Sequence, residues 1–389
     1  MESLKQEIHA YMDFLAGELA DVNRFIFEHP EVAMNEKKTS SKLVEVLKKH
    51  GFEVKTPACG METAFIAEAS SGTEGPHIAF VAQYDALLDL GHACGHNLCS
   101  TASLGAALGL AKFLSRLNGR VSVMGTPSEE VLPTSGKVKM IGEGVFQDVD
   151  AAIATHPHSR TWLAEQFLAI NQISIRFKGK STHAGDTPHL GRNAYDAVQL
   201  TFIGLSFLRQ QLRQDARVHW GEVEINGPMN VIPEAASAKI GLRASDDVYT
   251  EEITRKAVDC IKGAALMTGC EAEYETLEGY RSFKVNPTIV EEFRSNLATL
   301  EIPEDDPPEF GRGGSTDMGN ISRVVPAIYP LFKITDNDPP HSSAFCTASG
   351  TDAAFETMIK MSKAMAATGA RCLSDTGFLE RIRKDFEKV

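Results

Sequence analysis

Apolar residues recur every three or four positions through the first fifty residues: Leu15, Leu19, Val22 and Ile26, then Leu43, Val46 and Leu47. That spacing turns one helical face toward a core and predicts an amphipathic opening. Three short segments follow that look like buried strands, ETAFIAEA, HIAFVAQYDAL and GRVSVMGTPSEE. Between the last two, TASLGAALGLAKFLSRL reads as helix. Strands alternating with helices predict an α/β sheet. A fourth apolar run, VDAAIATHPHS, ends in histidines. Polar candidates therefore gather where strands stop, which is where open α/β sheets bind their ligands.

From about Ala169 the pattern changes to strand (AINQISIRFKG), long helix (NAYDAVQLTFIGLSFLRQQL), two strands (HWGEVEINGP and SAKIGLRASD), helix (TEEITRKAVDCIKGAALMTG) and strand (CEAEYETLEGY). This β-α-β-β-α-β order matches the ferredoxin-like split motif, a self-contained α+β layer. After roughly Tyr280 short apolar strands (AIYPLFK) and a closing helix (TDAAFETMIKMSKAMAATGA) return to the first pattern. The expected organisation is an α/β domain formed by 1–168 and 281–389, interrupted by an inserted domain at 169–280. A chain of 389 residues is long enough for two such modules.

Composition narrows the function classes. Hydrophobic residues at 43%, aromatic at 7% and charged at 23% are ordinary for a globular chain. A formal net charge of -13 opposes encounters with nucleic acid or anionic lipid. The N-terminal stretch lacks the basic and apolar regions of a secretory signal. No apolar run approaches the roughly 20 residues needed to span a bilayer. Seven scattered cysteines do not form the dense, even framework of small secreted domains. A soluble, cytoplasmic protein with reduced thiols is expected.

The densest chemical signal is Gly91-His92-Ala93-Cys94-Gly95-His96-Asn97, soon after Gln83-Tyr84-Asp85. Cysteine and histidine both bind borderline metals, and the glycines permit tight turns that could bring the Cys94 sulfur and the His96 ring to one cavity. A buried thiol beside a helix-capping histidine would give the same string. A second signal, Gly125-Thr126-Pro127-Ser128-Glu129-Glu130, directly follows an apolar strand. Adjacent carboxylates at a strand end are expected to point to different sides, one toward a metal and one free to move protons. A solvated acidic turn is the plainer alternative. His156 (or His158, which competes with it) and His341, in DNDPPHSSAF, complete a set suited to two divalent ions bridged by a water or hydroxide. Cys59, Cys99, Cys260, Cys270, Cys346 and Cys372 read as packing residues. His92, His158 and His189 stand as pocket candidates.

The strings YDALLDLGHACGHN, GTPSEE, HAGDTPHLGRNAYDAV, NVIPE, GSTDMGN and HSSAF occur in this order from about Phe80 to Phe345. In this they resemble a metallopeptidase superfamily of aminoacylases, carboxypeptidases and amino-acid-conjugate amidohydrolases. The branch most resembled is the aminobenzoyl-glutamate hydrolase-like and dipeptidase-like one, to which Asn97 and the run Ala82-Gln83-Tyr84-Asp85 also fit. The resemblance implies a catalytic α/β domain holding two metal ions and an inserted lid that mediates homodimerisation. It implies metal ligands Cys94, His96, Glu130, His156 and His341, with Glu129 as general base and Asp85 orienting the metal site. In the lid it implies substrate-facing roles for His183, Asn230 and Arg243, His183 reaching a neighbouring subunit's active site. Read from the residues alone, His183 could cap the following helix and Arg243 could face solvent.

The implied reaction is hydrolysis of the amide of an N-acyl amino acid, an aminobenzoyl-glutamate-like conjugate or a dipeptide, through a metal-bridged water activated by Glu129. His183 would help to stabilise charge on the carbonyl oxygen. Zinc or manganese leads the metal expectation, with cobalt and nickel compatible. The partners to consider are a small-molecule amide substrate, a second copy in a homodimer and a second, different subunit. Two other readings compete: a metal-dependent deaminase of an aromatic ring amine, which would release ammonia, and a non-catalytic metal-binding subunit, against which intact Glu129 speaks.

Overall fold

The computed structural model describes residues 1–306 and 314–388. The chain forms two compact units, one comprising Met1–Glu165 with the described residues of Phe283–Gly311 and Asn320–Val389, the other Gln166–Ser282 with those of Arg312–Gly319.

The first unit opens with α1 (Glu2–Glu28), α2 (Lys37–Lys49), β1 (Glu53–Lys55), β2 (Phe65–Ser70), β3 (His77–Gln83), α3 (His96–Ala111) and β4 (Arg120–Thr126). It continues with α4 (Gly136–Gly142), β5 (Ala151–Ile153) and β6 (His156–His158). The second unit holds β7 (Ala169–Lys178), α5 (Ala194–Leu208), β8 (Arg217–Ile225), β9 (Ala235–Ala244), α6 (Asp247–Thr268) and β10 (Glu271–Glu278). The chain ends with α7 (Pro287–Thr299), α8 (Met318–Ile321), β11 (Ala327–Ile328), β12 (Leu331–Lys333), α9 (Ser343–Ser349), α10 (Asp352–Ser374) and α11 (Thr376–Glu387).

In the first unit a six-stranded sheet runs β1-β2-β4-β3-β5-β11. β4, β3, β5 and β11 are parallel, while β2 pairs antiparallel with β4 and β1 with β2. Every residue of β3 is buried, as a central parallel strand covered on both faces must be. α3 is buried along almost its whole circumference and packs against β3, α1 and α10. Its small residues, Ala102, Ala106 and Ala107 among them, allow that close approach. α1 buries Ile8, Met12, Leu15, Leu19, Val22 and Ile26, the stripe that its periodicity predicts. Each fully buried side chain of this size contributes about 1.5–3 kcal/mol.

Several elements depart from the sequence expectation, α3, α7 and α11 among them. α3 begins at His96, ahead of the Thr101 start that apolar content suggests, because Gly95 takes φ 75° and turns the chain into the helix. Its polar first turn is buried rather than looped out, with the Asn97 amide donating to Asn23 Oδ1 and to the Ser349 carbonyl. α7 and α11 are further helices, each with an apolar stripe, and Asn286 and Asp375 accept backbone N–H groups at their starts.

The second unit is a four-stranded antiparallel sheet of order β10-β7-β9-β8. Ile173, Ile175 and Phe177 of β7 and Ile240 and Leu242 of β9 share one core with Val198, Leu205, Ile253 and Ile261 of α5 and α6. Asn193 and Asp246 cap the two helices with their side chains.

Gly125 on β4 sits opposite Phe65 on β2, and a Cβ there would lie 2.2 Å from the Phe65 ring. Gly125→Ala is therefore expected to destabilise the chain by about 1–3 kcal/mol, measured by denaturant unfolding, with Phe65→Leu recovering part of the loss in the double variant.

Candidate metal centre

The parallel strands of the first unit end side by side, and the candidate residues stand just beyond those ends. Asp85 lies two residues past β3, Glu129 and Glu130 follow β4, and His156 opens β6 just after β5. Cys94 and His96 enter from the turn that starts α3. His341 comes from the loop before α9, where its φ of 67° is uncommon for a residue with a Cβ. Its backbone amide is fixed on the Ala93 carbonyl at 2.8 Å.

Three overlapping groups of ligand-type atoms result, each with all its atoms within 4.8 Å of one another: Cys94, His96 and His156; Cys94, Glu130 and His341; His96, Glu129 and Glu130. Cys94 Sγ is 3.3 Å from His156 Nε2. Glu130 Oε1 is 3.4 Å from His341 Nε2 and 3.8 Å from His96 Nε2. His158 is outside these groups, its Nδ1 3.3 Å from the Ser159 hydroxyl. The pair Glu129-Glu130 does not split to opposite sides as a pleated strand would dictate. Both lie in a bend after Ser128, whose φ is 59°, so strand alternation no longer applies and both carboxylates reach the His96 side.

The imidazoles are oriented from behind. His96 Nδ1 is 2.9 Å from the Asp85 carbonyl and 3.1 Å from Asp85 Oδ1, both acceptors, so this nitrogen carries a hydrogen. His156 Nδ1 similarly donates to the Pro157 carbonyl at 2.7 Å. In both rings Nε2 is then left for the cluster, the arrangement by which outer partners aim metal-binding histidines. The second Asp85 oxygen accepts the Glu130 amide at 2.9 Å, so one carboxylate fixes a ring and the backbone of a neighbouring acid.

The electrostatics call for a cation. Burial and the Glu130 and Glu129 charges hold the Cys94 thiol well above its ordinary range. Burial disfavours a charged His96, but the Asp85 hydrogen bond and charge, with Glu130 and Glu129, outweigh it and raise the imidazole to about 9. Burial and the His96 charge push His156 well below the usual range. Burial raises Glu130, but the His341 hydrogen bond and the His96 charge bring it below the usual carboxylate value. His96 Nε2 is buried without a hydrogen-bond partner, a costly state for a polar atom. Sulfur, nitrogen and oxygen donors around an orphaned nitrogen fit a borderline divalent ion.

The lid candidates lie in the second unit. His183 is exposed, and its Nδ1 accepts the amides of Gly185 and Asp186 at 3.1 Å each, which leaves Nε2 as the donor. Asn230 is exposed in the turn just before Val231, which bridges to His183, and its carbonyl accepts the Ala184 amide at 2.8 Å. Arg243 on β9 is half-buried and donates to Ser315 Oγ at 3.0 Å. His92 is a structural tie, its Nε2 3.0 Å from the Ile26 carbonyl, and His189 is exposed. Sequence reasoning missed two fully buried charged side chains of the first unit, Glu36 and Lys137. Neither lies in a motif, and each is polar in a local pattern that reads as surface.

A family model described as Peptidase family M20/M25/M40 matches residues 79–368. The Xaa-Arg dipeptidase of Mus musculus is 33% identical, over 100% of this chain and 93% of its own. A p-aminobenzoyl-glutamate hydrolase subunit of Escherichia coli (strain K12) is 29% identical, over 99% of this chain and 96% of its own. Among solved structures, a dinuclear metal binding peptidase of Bacillus subtilis superposes with a TM-score of 0.70 at 20% identity, covering 92% of this chain and 99% of that one.

In the metal-free chain His96 is expected to titrate near 9, followed by NMR of its ring. A raised folded value means that its contribution to stability is complete below the ordinary 6.5 and is lost as pH rises through 9. Thermal unfolding from about pH 6 to about pH 10 should show that loss, and Asp85→Asn should bring the ring's titration down.

Proposed function

Because the chain belongs to the peptidase family M20/M25/M40 and is thus a hydrolase of amide bonds, we propose that it cleaves a dipeptide or N-acyl amino acid at two divalent ions. The ions would be held by Cys94, His96, Glu130, His156 and His341, with Glu129 as general base. The observation that carries this reading is the convergence of all six side chains past the ends of β3, β4 and β5, with Glu129 buried among them. Zinc or manganese is the metal expected, and cobalt and nickel are also compatible with the mixed thiolate, imidazole and carboxylate donors.

When bound, the ions would supply Lewis acidity, making water a better acid and the substrate carbonyl a better electrophile. The chain's own residues do the rest. Glu129 accepts a proton from the attacking water and returns it to the departing amine nitrogen, and a carboxylate can do both within one turnover. Asp85 keeps the His96 ring and the Glu130 backbone fixed so that neither must reorganise during the reaction. His183, with Nε2 as its donor, would reach from a neighbouring subunit to hydrogen-bond the carbonyl oxygen as charge develops there. Asn230 and Arg243 face the rest of the substrate, and the Arg243 guanidinium suits a free carboxylate.

The relatives' names support two substrate classes for the proposal: a dipeptide of the Xaa-Arg kind named for the mouse relative, or an aminobenzoyl-glutamate-like conjugate. The second unit, with its ferredoxin-like element order, is proposed as the lid and dimerisation module, inserted at about 169–280. A partner of different sequence also fits, since the E. coli relative is named as one subunit of its hydrolase. Seven unpaired cysteines support a reducing, cytoplasmic setting. No described helix is long and apolar enough to cross a membrane.

Glu129→Gln should lower kcat by about 10²–10⁴-fold while metal content and KM stay near wild type, measured on metal-reconstituted protein with a panel of dipeptides and N-acyl amino acids. Equal loss of metal would show that the two glutamates have been exchanged. Chelation should abolish turnover, and zinc or manganese should restore it.

A further inference from the structure

Glu36 occupies the N-cap position of α2, where an acidic side chain ordinarily accepts amides of its own helix. It makes no such bond. Glu31 does that work instead, its two oxygens accepting the Lys38 and Thr39 amides at 3.0 Å each. The Glu36 side chain turns inward, is 0% exposed, and accepts the Ser128 amide on Oε1 at 2.9 Å and the Thr63 hydroxyl on Oε2 at 3.0 Å. Both donors are neutral, and Asp85 adds a like charge. Burial pushes the Glu36 carboxyl up to about 7. Burying a carboxyl this way opposes folding, and capping of α2 does not explain it.

What the side chain holds does explain it. Ser128 immediately precedes Glu129 and takes a φ of 59°, a conformation that residues with a Cβ adopt only when their surroundings impose it. Its amide rests on Glu36 and its hydroxyl on Thr134 Oγ1 at 2.7 Å. The same short segment also holds the other side of the site, because the Glu31 carbonyl accepts the amide of Ala86, next to Asp85, at 2.8 Å. Residues 31–36 thus pin the chain after β3 and the chain after β4.

We propose that Glu36 is a positioning residue for the hydrolysis: by accepting the Ser128 amide, it holds the left-handed bend from which Glu129 moves the proton. This rests on the reading of Glu129 as the base. Glu36 acts through the bend rather than on substrate or metal, so its removal should lower kcat and leave KM and metal content in place. Glutamine at 36 retains an oxygen for the Ser128 amide, whereas alanine removes it.

The test is steady-state kinetics on the full-length, metal-reconstituted chain, with metal content and melting temperature measured for each variant. Glu36→Ala is expected to lower kcat by about 10- to 100-fold with KM within about twofold, the scale of loss that an ångström of misplacement produces. Glu36→Gln should stay within about threefold of wild type, because the bond to the bend survives. A folded, metal-replete Glu36→Ala with wild-type kcat would overturn the proposal. So would a Glu36→Gln as impaired as the alanine variant, or activity lost only in step with metal. If Glu36→Ala does not fold, Glu36→Met decides, since it fills a similar volume but cannot accept the Ser128 amide: a kcat about 10-fold or more lower at unchanged KM and metal content supports the role, and unchanged kcat overturns it. Glu129→Gln run in parallel separates the two levels. If that variant turns over normally, the base assignment fails; if it is inactive while Glu36→Ala is not, only the positioning role fails.

Discussion

The carboxylate of Asp85 ties together parts of the site that are distant in sequence. One oxygen meets the His96 ring and the other accepts the Glu130 amide, so α3 and the bend after β4 are referenced to the end of β3. The link is buried, where water neither competes for these bonds nor screens the charges. A buried carboxylate is tolerable only when its hydrogen bonds and a positive partner compensate its lost hydration. Asp85 has both, and its partner is an imidazole that would have to give up a proton to bind a cation. Metal affinity, ring orientation and the placement of Glu130 are thus coupled through a single group.

The sheet makes this link available. Parallel strands β3, β4 and β5 deliver their following loops to one edge, and the fully buried β3 gives that edge a rigid floor. α3 closes it from the side, entering through the left-handed Gly95, where a Cβ would lie 2.4 Å from the Pro157 ring. Pro157 follows His156, so the glycine that starts the helix also makes room for the strand that brings His156. Backbone fit and ligand geometry are here one requirement.

Much of this was legible along the chain. The 3.6-residue stripe of α1 and the continuous apolar runs of β3 and β4 reported burial directly, because one element's periodicity is enough to say which face leaves water. The same held for the strands and two helices of the second unit. α7 and α11 each carry an apolar stripe (Ile289, Val290, Phe293 and Leu297; Phe378, Leu379 and Ile382), but their caps, Asn286 and Asp375, read equally well as turns. The candidate ligands were legible as residue types beside strand ends. That both Glu129 and Glu130 turn to the same side was not, since it depends on one residue, Ser128, leaving the extended region.

The sequence by itself determined the alternation of strands and helices, the family and the chemical types of the candidate ligands, since these are local or pattern properties. Tertiary structure alone decided that His156 joins the cluster while His158 turns to Ser159. It alone decided that Asp85 spans His96 and Glu130, and that Glu36, polar in a local pattern that reads as surface, is buried against a loop 92 positions away. The physical reason is common to all three. A charged side chain's role depends on which donors surround it after water is expelled, and those donors come from segments whose proximity only the folded sheet creates.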